Sequence, residues 1–342
     1  MGIPGGWSML RRTIPILLGI AGADIAQAEM PPELVEMLAR PEVPATARTE
    51  LEAGGAPVWV LERDTGAGQI SVAGVVKISG SPQRVAEDFF RRDSLLEADL
   101  LKASGTFSDP AVLGDVAKYQ VPESDLEVLA DCEVHACKFK LGAPALEELG
   151  AIDWDSPDAR RNLDALLRRR IVEFVAAYQK EGRAALGRYL DKADARSVPE
   201  ATGMLLDQMQ AALLVKTVRT HLLGYPKTQL PGARDRLHWN VRDYGYRPVT
   251  SIVHTVAFAP GAGEPAELIA AETLYSSHYF YARLQLLGLY TDTENHEQTY
   301  ALYGDRLLFD DKVGSIQRKM LRRGVVDDVR KRLKKVGEKR PS

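Results

Sequence analysis

Four runs of strand texture follow one another between Arg247 and Leu308, and a helix-length stretch closes the chain behind them. The runs are Arg247–Ala259, Glu267–Tyr281, Leu284–Tyr290 and Thr299–Leu308, with the turn segments GAGEP (261–265) and TDTEN (291–295) among them. Extended segments parted by Gly, Pro and Asp turns read as antiparallel strands. The last element, Val313–Val336, spaces Ile316, Met320, Leu321, Val325, Val326, Val329 and Leu333 as one apolar face of a long helix. A strand pair, Val58–Glu62 and Gln69–Ile78, stands ahead of these elements. In its second member Ile70, Val72, Val76 and Ile78 share one face while Gln69, Ser71 and Lys77 occupy the other, the pattern of a half-buried strand. Ser81 then offers an N-cap and Pro82 a first helical residue, with Val85, Phe89 and Phe90 as an apolar side.

The texture between these β regions differs. Ser156-Pro157-Asp158 opens a long helix carrying Leu163, Leu166, Leu167, Ile171, Phe174, Val175 and Tyr178, and Leu186, Tyr189 and Leu190 extend the spacing past Gly182. A second helical stretch runs over Glu200–Leu223 with Leu205, Leu206, Met209, Ala212 and Leu213 on one side, interrupted at Lys216. The expectation is one α+β domain over 57–336 with a mostly helical insertion at 143–223, preceded by an extension at 29–56 and followed by a basic tail at 337–342. A hydrophobic content of 45% with 27% charged residues excludes disordered and collagen-like classes. The formal charge of −3 argues against a chain-wide nucleic-acid footprint, so no nucleic acid is expected as partner.

Residues 1–28 read as an export signal. Arg11 and Arg12 form a positive region, Thr13–Ala23 is apolar, and Ala26-Gln27-Ala28 supplies small residues for cleavage before Glu29. A membrane span needs ~20 apolar residues, and Asp24 ends this stretch after about eleven. Removing Arg11, Arg12 and Asp24 from 44 basic and 47 acidic residues leaves 42 and 46, a charge of −4. A soluble protein in the periplasm or outside the cell is expected. In that oxidising setting Cys132 and Cys137 suit a disulfide, provided the four residues between them form a loop; free thiols or metal and redox chemistry are the other readings.

The segment VVKISGSPQRVAEDFF (75–90), a strand running into a Ser-Pro helix start, and Thr299–Val336, a last strand feeding the closing helix, cover about 55 residues. They resemble the START-like helix-grip (SRPBCC) superfamily, in which a curved antiparallel sheet wraps a long C-terminal helix. CEVHACKFKL (132–141), IDWDSPDAR (152–160), RPVTSIVHTVAF (247–258) and ETLYSSHYF (272–280) are similar to exported bacterial proteins of unassigned function. The helix-grip resemblance implies a cavity between sheet and closing helix that takes lipids or other apolar ligands. Fold alone does not carry function.

Candidate cavity residues are therefore His254, Tyr275, His278 and Phe280 from the strands and Ile316 and Met320 from the closing helix. His254 lies in line with Thr250, Ile252, Val256 and Phe258, and His278 alternates with Ser276 and Phe280. Antiparallel neighbours could bring both imidazoles into one cavity, as core histidines, as polar handles for a ligand, or as acid/base groups. No histidine pair has the His-x-x-x-His spacing of a helical metal site, and neither a metal nor a cofactor is expected. No G-x-S-x-G elbow or phosphate loop is present. Trp239, Tyr244 and Tyr246 near Arg236, Arg242 and Arg247 suggest aromatic packing with solvated arginines, or else a cavity mouth or a partner surface. From Arg318 to Arg340 eleven basic residues face three acidic ones, +8 locally. Arg322, Arg323, Arg330, Lys331, Lys334 and Lys335 are candidates for contact with an anionic membrane surface. The leading functional expectation is an exported, non-catalytic carrier of an apolar or amphipathic ligand. An envelope interaction module without a small ligand, or a hydrolase using His254 and His278, are the alternatives.

Overall fold

A computed structural model describes residues 30–61, 68–92, 96–193, 197–210, 216–310 and 315–338, with side chains undescribed at 209–210 and 315–318. The export-signal segment lies outside these residues. Among the described residues, eight strands make one antiparallel sheet: β1 (Val58–Val60), β2 (Gln69–Ser79), β3 (Leu101–Thr106), β4 (Arg234–Arg242), β5 (Val249–Phe258), β6 (Glu267–Ser276), β7 (Phe280–Thr291) and β8 (Gln298–Phe309). The order across the sheet is β1-β2-β8-β7-β6-β5-β4-β3. The strands β4 to β8 form a meander, and the first and last long strands meet where β2 pairs with β8 over eleven residues, from Gln69↔Leu308 to Ser79↔Gln298.

The nine α-helices among the described residues are α1 (Pro32–Leu38), α2 (Ala47–Glu52), α3 (Pro82–Arg91), α4 (Leu126–Ala130), α5 (Ala143–Leu149), α6 (Ala159–Glu181), α7 (Val198–Gln210), α8 (Lys216–Gly224) and α9 (Ser315–Gly337). They cover both sheet faces. On one face α3 and α9 pack over Ile70, Val72, Val76, Ile78, Val253, Ile269, Leu287, Leu289 and Ala301. On the other, α5 to α8 cover Trp239, Ile252, Val256, Leu268, Leu284 and Leu286, and α1 and α2 cover Trp59, Val75, Tyr300 and Leu302. The alternation expected for β2 is present, but its polar face is not solvated: Gln69 and Ser71 are buried, and the Gln69 amide donates to Gln208 of α7. The second helical layer buries the polar face of β2 at Gln69 and Ser71, while Lys77 and Ser79 at its far end stay half-buried.

Several expected boundaries move for identifiable reasons. The run Glu267–Tyr281 is two strands, because Tyr279 takes a left-handed φ of 66° and the chain reverses between Ser276 and Phe280. Helix α6 stops at Glu181, since Gly182 has φ +63° and its backbone lies against the Tyr225 carbonyl, so Leu186, Tyr189 and Leu190 are not helical. The stretch Glu200–Leu223 is two helices; Met209, Ala212 and Leu213 lie outside the described side chains. Of the Arg/aromatic mixture, Arg236, Trp239 and Arg242 lie in strand β4, and Tyr244, Tyr246 and Arg247 follow it. Trp239 and Arg242 are buried there, which corrects the solvated-arginine reading at Arg242, while Arg236 and Arg247 are half-buried and Tyr246 is 83% exposed. Among the described residues, no helix is long and apolar enough to cross a membrane.

Helix α9 runs along β1 and β2. Val329 and Leu333 are buried, Val325 and Val326 half-buried, and Leu333 fits against Gly74, where a Cβ would collide with it. Met320 is 69% exposed and so is no cavity residue; among the described α9 side chains, those packed on the sheet start at Val325. Arg323, Lys331, Lys334 and Lys335 are exposed, and Arg322 and Arg330 half-buried. Cys132 and Cys137 stand at disulfide distance, with Cα atoms 4.5 Å apart across a short loop.

Candidate functional site

A groove of about 560 Å³ opens between the helical insertion and the sheet. Helix α6 supplies one wall, Leu167, Ile171 and Phe174, spaced so that one helical face presents all three. The extended segment Phe139–Leu141 and the stretch Ala185–Leu190 form the other walls, and the start of α5 at Ala143 and Pro144 is the lip. The floor is Ile252 of β5 and Tyr275 of β6, direct cross-strand partners beside a β-bulge. The bulge shifts the register by one residue and lets Tyr275 face the insertion together with Leu274. Its ring centroid is 5.8 Å from Tyr189 and 6.3 Å from Phe174, and its hydroxyl donates to the Lys140 carbonyl at 2.9 Å.

Polar groups are few and sit at the edges. Lys140 Nζ is 2.6 Å from Asp310 and lies over the Tyr281 ring; burial lowers its pKa, with Asp310 opposing. Arg170 pairs with Glu173 at 2.8 Å and with Glu148. Arg188 is exposed at the lip and, among the described residues, has no carboxylate partner. The buried Tyr189 hydroxyl has no hydrogen-bond partner among the described residues, and burial pushes its pKa far up, so it stays protonated. A small-molecule site commonly has this composition, apolar walls with a few placed polar groups, and a volume of ~300–1,000 Å³.

Of the six expected cavity residues, the groove takes only Tyr275. Among the described residues, neither Met320 nor any other α9 side chain lines it, and the Ile316 side chain lies outside the described residues. Phe280 is buried as the first residue of β7, away from the lining. His278 sits behind a wall. Its Nδ1 donates to the Lys138 carbonyl at 2.8 Å, Nε2 is 3.2 Å from Asp125, and its ring meets Phe139 edge-on at 5.1 Å. His254 belongs to a different cluster, with Tyr178, His221 and Asp235. The two imidazoles therefore do not share a cavity, and among the described residues no serine or cysteine side chain bonds to either ring. Ile171, Phe174 and Tyr189 were legible only as core positions, since an apolar helical stripe reads the same whether protein or ligand covers it.

A comparison of the chain with known protein families and with curated proteins finds no match.

Proposed function

We propose that the protein is an exported, non-catalytic carrier or sensor of an apolar or amphipathic ligand, held in the groove between the helical insertion and strands β5 and β6. The carrying observation is the groove itself: about 560 Å³ walled by Leu167, Ile171, Phe174, Tyr189 and Ile252, with Arg170 and Arg188 at its edge. Burying about 200 Å² of apolar ligand surface at ~25 cal/mol per Å² contributes roughly 5 kcal/mol, and the edge arginines favour an anionic head group. The strand order with β2 beside β8, the helix α3 after β2 and the closing α9 on the same face support a START-like helix-grip reading, with β1 added at the edge. In that reading the ligand side is not the space beneath α9 but the opposite face, where the insertion packs. The cysteine pair at disulfide distance agrees with export.

The test is uptake of an anionic naphthalene probe, 1-anilinonaphthalene-8-sulfonate, by the chain after organic extraction, followed by fluorescence. Ala143→Trp places an indole on the exposed lip without touching the core. Saturable uptake by the parent chain that falls at least tenfold in Ala143→Trp, at unchanged thermal midpoint, supports the carrier. Equal uptake by both, or none by the parent, rejects it.

A further inference from the structure

A cluster of metal-ligand side chains lies apart from the groove lining. His221 stands in the last turn of α8, Asp235 near the start of β4 and His254 in the middle of β5. In the β4–β5 register Leu237 faces His254, so Asp235 is its diagonal neighbour on the same sheet face. Both imidazole Nε2 atoms are 2.7 Å from the same oxygen, Asp235 Oδ1. The histidine side chains are 4% and 0% exposed, while that of Asp235 is 30% exposed.

Donor bookkeeping makes this convergence informative. The Thr228 carbonyl, 2.8 Å from His221 Nδ1, only accepts, so that nitrogen carries the proton. The remaining Nε2 of a neutral His221 then points a lone pair at a carboxylate. Two acceptors face one another unless a proton or another cation lies between them. His254 is adaptable: its Nδ1 is 3.0 Å from the Tyr178 hydroxyl, which can donate or accept and so permits either tautomer. A second carboxylate adds negative potential: Glu272 lies directly opposite His254 in the β5–β6 register. Its Oε1 pairs with Arg183 at 2.6 Å, whereas the buried Oε2 has no hydrogen-bond partner among the described residues.

We infer that His221, Asp235 and His254 bind a divalent transition-metal ion of the zinc class, fastening α8 to strands β4 and β5. The three donor atoms lie within 4.8 Å of one another. Metal–ligand bonds of ~2.0–2.2 Å in tetrahedral array require donors roughly 3.3 Å apart, which a small opening of the cluster supplies. Two imidazoles and one carboxylate suit zinc, cobalt or nickel better than calcium or magnesium, which prefer all-oxygen shells. Thr228 and Tyr178 act as the outer partners that orient ligating histidines, and the exposed side at Asp235 leaves a position for water. The inference is independent of the groove and its ligand.

The experiment uses the full chain after chelator treatment, titrated with Zn²⁺ by calorimetry and with Co²⁺ by visible absorption. Expected are one ion per chain, a rise in thermal midpoint on binding, and the intense visible bands of tetrahedral cobalt. His221→Gln and Asp235→Asn should each weaken binding at least about 100-fold, whereas the joint change of the exposed His135 and His296 to Gln should leave it intact. Thermal unfolding without metal shows whether each variant is folded, and the cobalt spectrum of the parent chain needs no variant. Absence of uptake by the folded parent chain overturns the inference. So does binding that the His221 and Asp235 substitutions leave unchanged, or that the surface-histidine change removes.

Discussion

Replacing Glu97 by Gln should destabilise the protein by roughly 3 kcal/mol at neutral pH, and the loss should fade in acid. Glu97 precedes β3 and faces the α9 side of the sheet, where Arg283 of β7 grips it with two hydrogen bonds of 2.7 and 2.8 Å. The same guanidinium holds Asp305 of β8 at 2.6 and 3.0 Å, and Arg242 of β4 stands 3.4 Å from Glu97. Tyr244 donates to Glu97 at 3.2 Å, Tyr303 to Asp305 at 3.1 Å. Two buried arginines thus face two buried carboxylates, and Arg332 of α9, itself paired with Asp99 and Asp328, adds positive charge near Glu97. The substitution leaves one cation in excess, and breaking a buried pair in this way costs ~3–5 kcal/mol. Titration gives a second route to the magnitude. Burial alone would raise the Glu97 pKa, but Arg283 and Arg242 outweigh it and hold the carboxyl at about 2, against an ordinary 4.5. At about 1.4 kcal/mol per pH unit, that gap is roughly 3 kcal/mol. Because the folded value lies below the unfolded one, the stabilisation is complete above pH 4.5 and disappears as pH falls through about 2. Urea unfolding of parent and Glu97→Gln chains at pH 7 and pH 3 is the assay. The difference should shrink from roughly 3 to roughly 1 kcal/mol between those pH values. A gap under about 1 kcal/mol at pH 7, or one that does not change with pH, would refute the charge-balance reasoning.

Leu333→Ala in α9 removes a side chain 1% exposed against Gly74 and should cost about 2–5 kcal/mol in chemical denaturation; Met320→Ala, at a position 69% exposed, should stay within about 0.5 kcal/mol. Equal effects would mean that α9 packs in another register. Charge reversal at the exposed Lys331, Lys334 and Lys335 should weaken adsorption to phosphatidylserine vesicles about 100-fold or more, at ~1 kcal/mol per lysine, while leaving the thermal midpoint unchanged. Adsorption insensitive to these changes and to salt would remove the membrane-surface role.

Strands β5 to β8 and the closing helix were legible because extended, strand-forming runs are mostly parted by Gly, Pro and Asp turn material and are followed by one long helix with a single apolar face. Strand β4 was not. Its alternate positions His238, Asn240 and Arg242 look like a solvated face, yet all three are buried. The partner that lets Arg242 stay inside, Glu97, lies far away in sequence. Strand β3 was hidden differently: LKASGT has no apolar period, and it is a strand because β4 offers it an edge. The same blindness governs the sites. Tyr275 could be nominated because it sits on a readable strand, whereas the walls on α6 look like any core stripe. The His221, Asp235 and His254 cluster joins a helix end to two strands, so no fixed spacing announces it.

On the carrier reading, the placement of charge sets which face of the sheet a ligand would occupy. On the α9 face, Arg283, Asp305, Glu97 and Arg242 are mutually bonded beneath the helix, and inserting an apolar molecule there would separate pairs that each carry a large desolvation cost. On the opposite face, the sheet lends Ile252 and Tyr275 to a groove whose remaining walls come from α5, α6 and the flanking extended segments. No buried ion pair has to break for that groove to fill, since Lys140 and Arg170 already hold their carboxylates at its margin. On the carrier reading, ligand choice then belongs to the insertion and not to the sheet. Changes at Ile171 or Phe174 should alter which probe binds, while changes beneath α9 should alter stability and leave the binding preference intact.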